Sequence, residues 1–375
     1  MKALILSCNT GGGHNSCGRA IRQAFEAEGH SCEMADSLQF SSQKLSRFLS
    51  WGHTTMYRHI PGLFRFGYGF AEDHPKILQE DAPLYKLLTG GTEQLRDYLV
   101  SGGYDTVICT HVFSGLLLRR TLDAYPLPVK TAFVATDYTC SPGTDKSNLD
   151  VYFMPDASLA EEFMICGIPG GKLVASGIPV DPVFHTRQDK ATAKTAVGID
   201  PTHNHILMMC GSMGCGPMKE LTMILSQRLD DTNDISIVCG TNEKLRKELA
   251  EKYRAFPNIH IHGFVKNMSA LMDSADLYLT KPGGLSTSEA LAKALPMVLI
   301  DAVAGCEAYN LRYFVSMGGA VTAQTPWELS ECCMTLLNDP TARQKMRDAL
   351  SQHKNGSAAQ RICRVMTDCS KGATP

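Results

Sequence analysis

The sequence predicts an α/β protein built from two doubly wound parallel sheets. Short β-rich runs alternate with helix-length segments along the chain, as in parallel sheets that are covered by helices on both faces. The 375 residues are enough for two domains of ordinary size. Two prolines interrupt the pattern within Gly177–Phe184, so we place the domain boundary there, with residues 1–184 and 185–375 on either side.

Nine runs are predicted to be strands, because each is a short β-rich run bounded by turn residues. The first series comprises Ala3–Leu6, Thr106–Cys109, Thr131–Val134 and Val151–Phe153. The second series comprises Ile206–Met209, Ile235–Val238, Ile259–Ile261, Leu277–Leu279 and Met297–Ile300. Beyond them, Thr325–Leu337 and Arg343–Met366 are predicted to be amphipathic helices, the last of which returns to the first domain.

The composition excludes several classes of protein. Hydrophobic residues make up 44% and charged residues 20% of the chain, which excludes a disordered, collagenous or coiled-coil protein. The 36 Lys and Arg nearly balance the 38 Asp and Glu, so the basic excess of a nucleic-acid-binding protein is missing. Without an apolar run of roughly 18 residues or a signal peptide, a cytoplasmic protein is expected. The 14 Cys include no Cys-x-x-Cys pair, so neither a zinc site nor a disulfide framework is expected.

Two glycine-rich loops in the second series each follow a predicted strand and open a predicted helix. The first lies within Met208–Gly216 and the second within Thr280–Glu289. Glycines at a helix N-terminus let backbone N–H groups approach a phosphate closely, so both loops are suited to an anion. Neither is a Walker A loop or a full dinucleotide fingerprint, which disfavours a dehydrogenase. The carboxyl ends of the strands in such sheets form a cleft for ligands, so both loops are expected to face it.

Ordered motifs in both halves resemble one known family. Gly263–Met268, Thr280–Leu291 and Gly305–Asn310 are similar to the nucleotide-sugar half of the monogalactosyl- and diglucosyl-diacylglycerol synthases of glycosyltransferase family 28. In the first half, Cys8–Asn15 resembles the family's glycine-rich loop ending in His, and residues 135–138 resemble its Thr-Asp-Phe turn. The resemblance implies a GT-B fold, in which a cleft separates an N-terminal acceptor domain from a C-terminal UDP-sugar domain, both Rossmann-like.

The resemblance also implies the donor contacts. The backbone of Phe264 and Val265 would read the uracil, and Glu289 would hold the ribose hydroxyls. Glu307 and Asn310 would face the sugar hydroxyls. The two loops would supply the remaining donor contacts through Gly211, Ser212, Met213, Lys281, Gly283, Gly284 and Ser286. Cys306 stands where the family carries Gln, and a thiol cannot replace both the donor and the acceptor of an amide, so UDP-glucose and UDP-galactose both stay open.

In the first half, the resemblance places the catalytic centre at His14. An imidazole titrates near neutral pH, which suits it to accept a proton from an attacking hydroxyl. Asp137 would orient His14 and stabilise its imidazolium, and Gly12, Gly13 and Asn15 would form the acceptor or phosphate loop. The implied enzyme is an inverting hexosyltransferase that uses no cofactor and no metal, with a UDP-sugar as donor and diacylglycerol or a related glycolipid as acceptor.

Residues 41–70 form a basic and aromatic segment, with four Lys or Arg, seven aromatic residues and no acid. Such a segment enters the headgroup region and is attracted to anionic lipids, which predicts peripheral association with the inner face of the cell membrane. The residues expected to face the membrane or the acceptor are Phe48, Trp51, Arg58, Phe64, Arg65 and Phe66. The alternative is an ordinary helix that packs on its own domain.

Three other functions stay open from the sequence. They are glycosyl transfer to another hydrophobic acceptor, UDP-sugar epimerisation, and noncatalytic sensing of a nucleotide sugar or a membrane. An epimerase would share the donor half but would not need residues 41–70. The presence of His14, Glu289 and Glu307 disfavours a sensor, whereas the departures from the family pattern at Ser141, Cys306 and Ala308 keep that alternative open.

Overall fold

The computed structural model describes residues 1–9, 12–42, 52, 81–300, 305–354 and 356–370. The six residues predicted to face the membrane lie outside these ranges. The chain divides into two compact units. The first runs from Met1 to Asp181 and includes the chain again from Ser357, and the second runs from Pro182 to Gly356 except for a short loop before Glu307. No helix in the described ranges is both long and apolar enough to cross a membrane.

Each unit contains one six-stranded parallel sheet. The first sheet has the order β2-β1-β3-β4-β5-β6 and consists of β1 (Lys2–Ser7), β2 (Ser31–Asp36), β3 (Thr106–Cys109), β4 (Lys130–Val134), β5 (Val151–Met154) and β6 (Leu173–Ala175). The second has the order β12-β11-β10-β7-β8-β9 and consists of β7 (Asn204–Met209), β8 (Asn233–Val238), β9 (Ile259–His262), β10 (Leu277–Thr280), β11 (Met297–Ile300) and β12 (Ala320–Ala323). The predicted α/β class with two doubly wound sheets is confirmed.

Helices connect the strands in both units. In chain order they are α1 (Gly12–Ala27), α2 (Ser37–Ser41), α3 (Pro83–Leu88), α4 (Thr92–Gly102), α5 (Val112–Ala124), α6 (Ala160–Ile165), α7 (Lys190–Ala196), α8 (Met218–Ser226), α9 (Glu243–Lys252), α10 (Met268–Ser274), α11 (Gly284–Lys293), α12 (Cys306–Ser316), α13 (Pro326–Asn338), α14 (Pro340–Gln352) and α15 (Ala358–Ser370). Several short 3₁₀ turns lie between them.

The first sheet is buried on both faces because successive residues of a strand point to opposite sides. Leu4 and Leu6 of β1 belong to a core that includes Leu116 of α5. Ala3 and Ile5 belong to a second core, which includes residues of α1 and of α15. The C-terminal helix therefore packs in the first unit, beside α1.

Three observed strands, β2, β6 and β12, were not predicted. All three lie at the edges of their sheets. A strand at an edge is covered less completely than a central one, so its sequence need not be a continuous apolar run. Strand β2, with the sequence Ser-Cys-Glu-Met-Ala-Asp, shows this, because only Cys32 within it is buried.

The single helical segment predicted over Arg343–Met366 is wrong, because two helices occupy it. Helix α14 ends at Gln352 and α15 begins at Ala358. Gly356 between them has a φ of +67°, a left-handed conformation that interrupts a helix. The backbone N–H of Gln360 then donates to the hydroxyl of Ser357 at 3.3 Å, which satisfies an amide at the start of α15.

His205 is a buried titratable residue in β7. Its Nδ1 atom lies 3.0 Å from the hydroxyl of Ser274, and its Nε2 atom is buried without a hydrogen-bond partner among the described residues. Burial lowers the pKa of His205 to about 3, because a charged imidazole loses its hydration in the protein interior. The folded protein therefore keeps this ring neutral over a pH range in which an unfolded histidine is protonated.

We expect His205 to make the protein sensitive to mild acid. An unfolded histidine binds a proton below about pH 6.5. The stability that depends on a neutral His205 is therefore complete above that pH. It is lost as the pH falls from about 6.5 toward 3, because protonation then favours the unfolded state. His205→Asn should take up about one proton fewer on unfolding at pH 5 than the wild type. The measurement is the slope of the free energy of unfolding against pH, and a slope equal to that of the wild type would contradict the prediction.

Candidate active site

The strand order of the first sheet reverses between β1 and β3. Helix α1 follows β1 and helix α5 follows β3, and the two helices pack in different cores on opposite faces of the sheet. Connections that leave in opposite directions open a crevice at the carboxyl ends of the two strands, where α/β sheets of this kind bind ligands. His14 lies on the β1 side of this crevice and Thr110 on the β3 side.

His14 occupies the first turn of α1, and the chain fixes the orientation of its ring. Its Nδ1 atom lies 2.8 Å from the carbonyl oxygen of Thr110 and 3.1 Å from the hydroxyl oxygen of Thr136. A carbonyl oxygen can only accept a hydrogen bond, so Nδ1 of the neutral ring carries the hydrogen and Nε2 has the lone pair. Nε2 is therefore the atom that can act as a general base.

A second imidazole, His111, packs against the first. The ring centroids of His14 and His111 are 4.6 Å apart, with an angle of 74° between the ring planes. His111 is the N-cap of α5, and its Nδ1 accepts a hydrogen bond of 3.1 Å from the backbone N–H of Phe113. Nε2 of the neutral His111 ring consequently carries the hydrogen, so the crevice contains one basic imidazole nitrogen and one that donates.

Asp137, predicted to orient His14, lies half-buried in the turn after β4. The residue before it, Thr136, contacts the imidazole of His14, so this turn does reach the ring. A role for the Asp137 carboxylate itself stays a prediction.

Three further predicted residues lie in the same first turn as His14. Gly12 and Gly13 begin α1, where backbone N–H groups have no acceptor within the helix and can bind an anion or a hydroxyl. Asn15 points toward β1: the hydroxyl of Ser7 donates to its Oδ1 at 2.7 Å, and its Nδ2 donates to Oδ1 of Asn9 at 2.7 Å.

Sequence reasoning missed Thr110 and His111, and it identified Thr136 only as part of the turn at residues 135–138. Each lies one or two residues beyond the end of a central strand, β3 or β4. Their polarity at the ends of predicted strands could have identified them as site residues, because the carboxyl ends of parallel strands form the ligand-binding edge of the sheet.

The second sheet reverses its order between β7 and β10, and the two predicted glycine-rich loops follow these strands. The hydroxyl of Thr280, at the end of β10, donates to the carbonyl oxygen of Met209, at the end of β7, at 2.6 Å. The second unit thus places both loops at one switch point, the usual ligand position in such a sheet.

The first loop, which contains Gly211, Ser212 and Met213, packs against the turn after β8. The carbonyl oxygen of Ser212 accepts from the backbone N–H of Thr241 at 2.9 Å. Gly214 has a φ of +56°, and a Cβ added there would overlap the carbonyl oxygen of Cys239. The chain itself therefore requires glycine at position 214.

The second loop is supported by helix α12. The side chain of Lys281 is buried, with its Nζ 3.9 Å from Oε1 of Glu307, and Asn310 is 0% exposed. Nδ2 of Asn310 donates to the carbonyl oxygen of Pro282 at 2.9 Å. Asn310 therefore holds the loop backbone, and its predicted contact with a sugar stays a prediction.

Gly283 differs from Gly214 because the described part of the chain does not require a glycine there. It has a φ of −75°, which any residue adopts, and a Cβ added at this position would meet no atom of the described residues within 4 Å. The next residue, Gly284, begins α11, so the described residues leave open space beside a helix N-terminus. Such a position suits a phosphate group.

The other predicted donor residues lie near the same edge of the second sheet. Ser286 and Glu289 are half-buried in the first two turns of α11. Phe264 is 67% exposed in the turn after β9, and Val265 beside it is half-buried. Their contacts with a nucleotide stay predictions.

Two family models match the chain. Residues 14–180 match the family described as monogalactosyldiacylglycerol (MGDG) synthase, a match that begins at His14. Residues 221–353 match the family described as glycosyl transferases group 1. The two matched regions correspond to most of the first and second units.

Curated relatives are similar over most of their length. A processive diacylglycerol beta-glucosyltransferase of Staphylococcus saprophyticus is 29% identical over 288 residues, which is 76% of this chain and 72% of that one. The protein of the same name from Staphylococcus aureus strain Newman is 27% identical over 301 residues, which is 80% of this chain and 75% of that one.

Solved structures share the fold at low sequence identity. MurG of Acinetobacter baumannii has a TM-score of 0.66 and 13% identity, with 98% of this chain and 99% of that chain covered. The co-structure of MnaA of S. aureus with UDP has a TM-score of 0.67 and 13% identity, with 100% and 98% covered. These similarities confirm the fold.

Gly214→Ala should destabilise the second unit, because its Cβ would collide with backbone and its φ is unfavourable for alanine. We expect the free energy of unfolding to fall by about 2 kcal/mol or more. The matched control is Gly171→Ala, whose Cβ would meet no atom within 4 Å, and which should change stability by less than about 0.5 kcal/mol. Chemical denaturation checks both variants, and equal stabilities would contradict the geometry of the loop.

Proposed function

We propose that this chain, which belongs to the family of the monogalactosyl- and diglucosyl-diacylglycerol synthases, transfers a hexose from a UDP-sugar to a hydroxyl of diacylglycerol or a related glycolipid. The observation that carries the proposal is the fixed tautomer of His14 at the switch point of the first sheet. Relatives over about three quarters of the chain are named diacylglycerol glucosyltransferases, which supports the lipid acceptor and favours glucose as the sugar.

In this reaction His14 acts as the general base. Nε2 of His14 takes the proton of the acceptor hydroxyl while the hydroxyl oxygen attacks the anomeric carbon of the sugar. The bond from that carbon to the UDP oxygen breaks on the opposite face, so the anomeric configuration inverts. The Nδ1 hydrogen bond to the Thr110 carbonyl also stabilises the imidazolium that forms, because Nδ1–H of a charged ring donates more strongly.

The second unit is suited to stabilise the departing UDP. Negative charge develops on the diphosphate as the sugar–oxygen bond breaks, and preorganised N–H groups at a helix N-terminus lower the energy of that state. The open space at Gly283 lies beside the start of α11, and the buried ammonium of Lys281 adds positive charge to the same loop.

Association with the membrane surface is part of the proposal. It is supported by the composition of residues 41–70, which contain basic and aromatic side chains and no acid. Such a segment would bring the acceptor crevice to a lipid that cannot leave the bilayer.

The full chain should form a glycolipid on liposomes that contain diacylglycerol and an anionic lipid. UDP release and glycolipid mass are measured with UDP-glucose and with UDP-galactose, which identifies the sugar that is transferred. His14→Ala should lower kcat by about 10²-fold or more, because the acceptor hydroxyl loses its base. Glycolipid formation at an unchanged rate in this variant would remove His14 from the mechanism, and no glycolipid from the wild type would contradict the proposed acceptor.

Gly283→Ala should weaken the binding of UDP and leave the stability of the fold nearly unchanged. The added methyl group would occupy the space proposed for the diphosphate, so the affinity for UDP should fall about tenfold or more, which is about 1.4 kcal/mol. The free energy of unfolding should change by less than about 1 kcal/mol, since alanine is only a poorer N-cap than glycine. Isothermal titration with UDP checks this, with Gly171→Ala as the control that should bind UDP normally.

A further inference from the structure

Basic side chains gather at the amino ends of the strands of the second sheet, the edge opposite the two glycine-rich loops. Asp276, which directly precedes β10, meets three cations there. Its Oδ1 lies 2.6 Å from Nζ of Lys190 and 3.6 Å from Nη2 of Arg347, and its Oδ2 lies 3.0 Å from Nζ of Lys194. Helix α7 supplies the two lysines and α14 the arginine. Three positive charges therefore face one carboxylate.

The two lysines have fixed partners in this network. Nζ of Lys190 also donates to the carbonyl oxygen of Ala275 at 3.0 Å, and Nζ of Lys194 donates to the carbonyl oxygen of His203. Burial lowers the pKa of Lys190 to about 8, and the neighbouring cations act in the same direction. The pKa is lowered in spite of the adjoining carboxylate, so Asp276 does not offset the burial and the like charges around this lysine.

Arg347 differs from the lysines, because its guanidinium donates no hydrogen bond to any residue that the structure describes. Its approach to Asp276 is an ion pair at 3.6 Å, a separation too long for a hydrogen bond. Its side chain is 20% exposed, and a guanidinium has five N–H groups. Donors that lose water without gaining an acceptor destabilise a fold. An acceptor from outside the described chain would satisfy them.

Two more arginines add positive charge beside Arg347. Burial lowers the pKa of Arg347, and the charges of Arg343 and Arg187 lower it further, with Asp276 acting in the other direction. Arg343 donates to two backbone carbonyl oxygens near the end of α13, while its Nε is buried without a hydrogen-bond partner in the described ranges. Arg187, just before α7, is exposed. We call these residues the basic cluster, which comprises Arg187, Lys190, Lys194, Arg343 and Arg347.

Other carboxylates close to the basic cluster in the chain have partners of their own. Oδ2 of Asp189 accepts from the backbone N–H of Thr192 at 3.0 Å. Oδ1 of Asp348 accepts from Nε2 of Gln344 at 2.8 Å. Among the described residues, Asp276 is the one carboxylate that forms an ion pair with the basic cluster. The cluster thus keeps an excess of positive charge, which attracts an anion.

We infer that the basic cluster binds a phosphate group at the amino ends of the second sheet. A guanidinium can pair with two oxygens of a phosphate at once. Arg347 and Arg187 supply such groups, and Lys190 adds charge beside them. The site lies at the opposite edge of the sheet from the loops proposed for UDP, and the proposed sugar transfer uses none of its residues. The phosphate can belong to a soluble molecule or to a lipid headgroup.

The first experiment is isothermal titration of the full chain with inorganic phosphate at constant ionic strength. Arg347→Gln and Arg187→Gln should each lower the affinity about tenfold or more, because each removes a charged donor. The matched control is Lys345→Gln, which removes one positive charge from an exposed position on α14 and should bind phosphate normally. Arg187 is exposed, so Arg187→Gln keeps the test valid where Arg347→Gln does not fold. Absent binding in the wild type, or unchanged affinity in both arginine variants, would overturn the inference.

UDP separates this site from the donor loops. In the presence of saturating UDP, the wild type should still bind inorganic phosphate through Arg347. Loss of all phosphate binding under these conditions would assign the phosphate to the donor loops and contradict the inference. If the chain does not bind UDP but its phosphate affinity depends on Arg347, the proposed function fails and the phosphate site stands.

Thermal unfolding gives a second measurement of the same site. Phosphate stabilises folded proteins in general because it is excluded from their surface, so the informative quantity is the difference between variants. Phosphate should raise the Tm of the wild type and of Lys345→Gln by about 2 °C more than that of Arg347→Gln. Equal rises in all three proteins would show that no phosphate binds at Arg347.

Vesicles distinguish the two sources of the phosphate. Cosedimentation of Arg347→Gln and Lys345→Gln is compared on phosphatidylcholine vesicles with and without phosphatidylglycerol. Weaker binding of Arg347→Gln to the anionic vesicles assigns the site to a lipid phosphate, and equal binding of the two variants assigns it to a soluble one. We expect equal binding, since the Arg347 side chain is mostly buried and a soluble phosphate reaches it more easily than a bilayer does. An affinity for inorganic phosphate that ignores both arginines overturns the inference, whichever vesicles bind.

Discussion

Parallel pairing of the first strand of each sheet with a strand from much later in the chain determines where the candidate residues lie. In the first sheet, Leu6 of β1 pairs with Cys109 of β3, and the backbone N–H of Thr110 donates to the carbonyl oxygen of Leu6 at 3.1 Å. The turn that follows β3 is thereby held beside the turn that follows β1. In the second sheet, Met209 of β7 pairs with Thr280 of β10, which brings the two glycine-rich loops together.

The chemistry of the first unit follows from that pairing. Nδ1 of His14 donates to the backbone carbonyl oxygen of Thr110, just beyond the end of β3, because a carbonyl oxygen can only accept. The lone pair of the neutral ring is therefore at Nε2. His111, two residues beyond β3, has the opposite tautomer because its Nδ1 accepts from Phe113. Two identical side chains thus differ in function, and the difference comes from the backbone groups that each one meets.

The glycines of the second unit show the same dependence on position. Gly214 is required by the backbone of the neighbouring turn, whereas Gly283, at a helix N-terminus, faces space that the described part of the chain leaves open. Both belong to glycine-rich loops that follow a strand and precede a helix. A glycine that the fold itself does not require is the better indicator of a ligand site, because the space beside it can hold a ligand.

The sequence by itself determined the fold class, the central strands and the loops that carry the candidate site. Buried parallel strands are apolar runs, and turns at helix starts contain glycine, so local composition reports both. The edge strand β2 was not recognisable in this way, because partial cover permits polar residues. The edge strands β6 and β12 were missed although their residues are mostly apolar. Gly356 divides α14 from α15 through its left-handed backbone, a conformation that a helical periodicity does not reveal.

Only the tertiary structure decided which side chains meet. His14 precedes Thr110 by 96 residues and Thr136 by 122 residues in the chain, yet the three form one cluster. Hydrogen bonds from Asn15 to Asn9 and from Asn9 to Asp36 likewise join separate segments. The amide of Asn310 does the same through its hydrogen bond to the carbonyl oxygen of Pro282. Such contacts depend on which strands pair and in what register, and a periodicity within one segment carries no information about its partner in another.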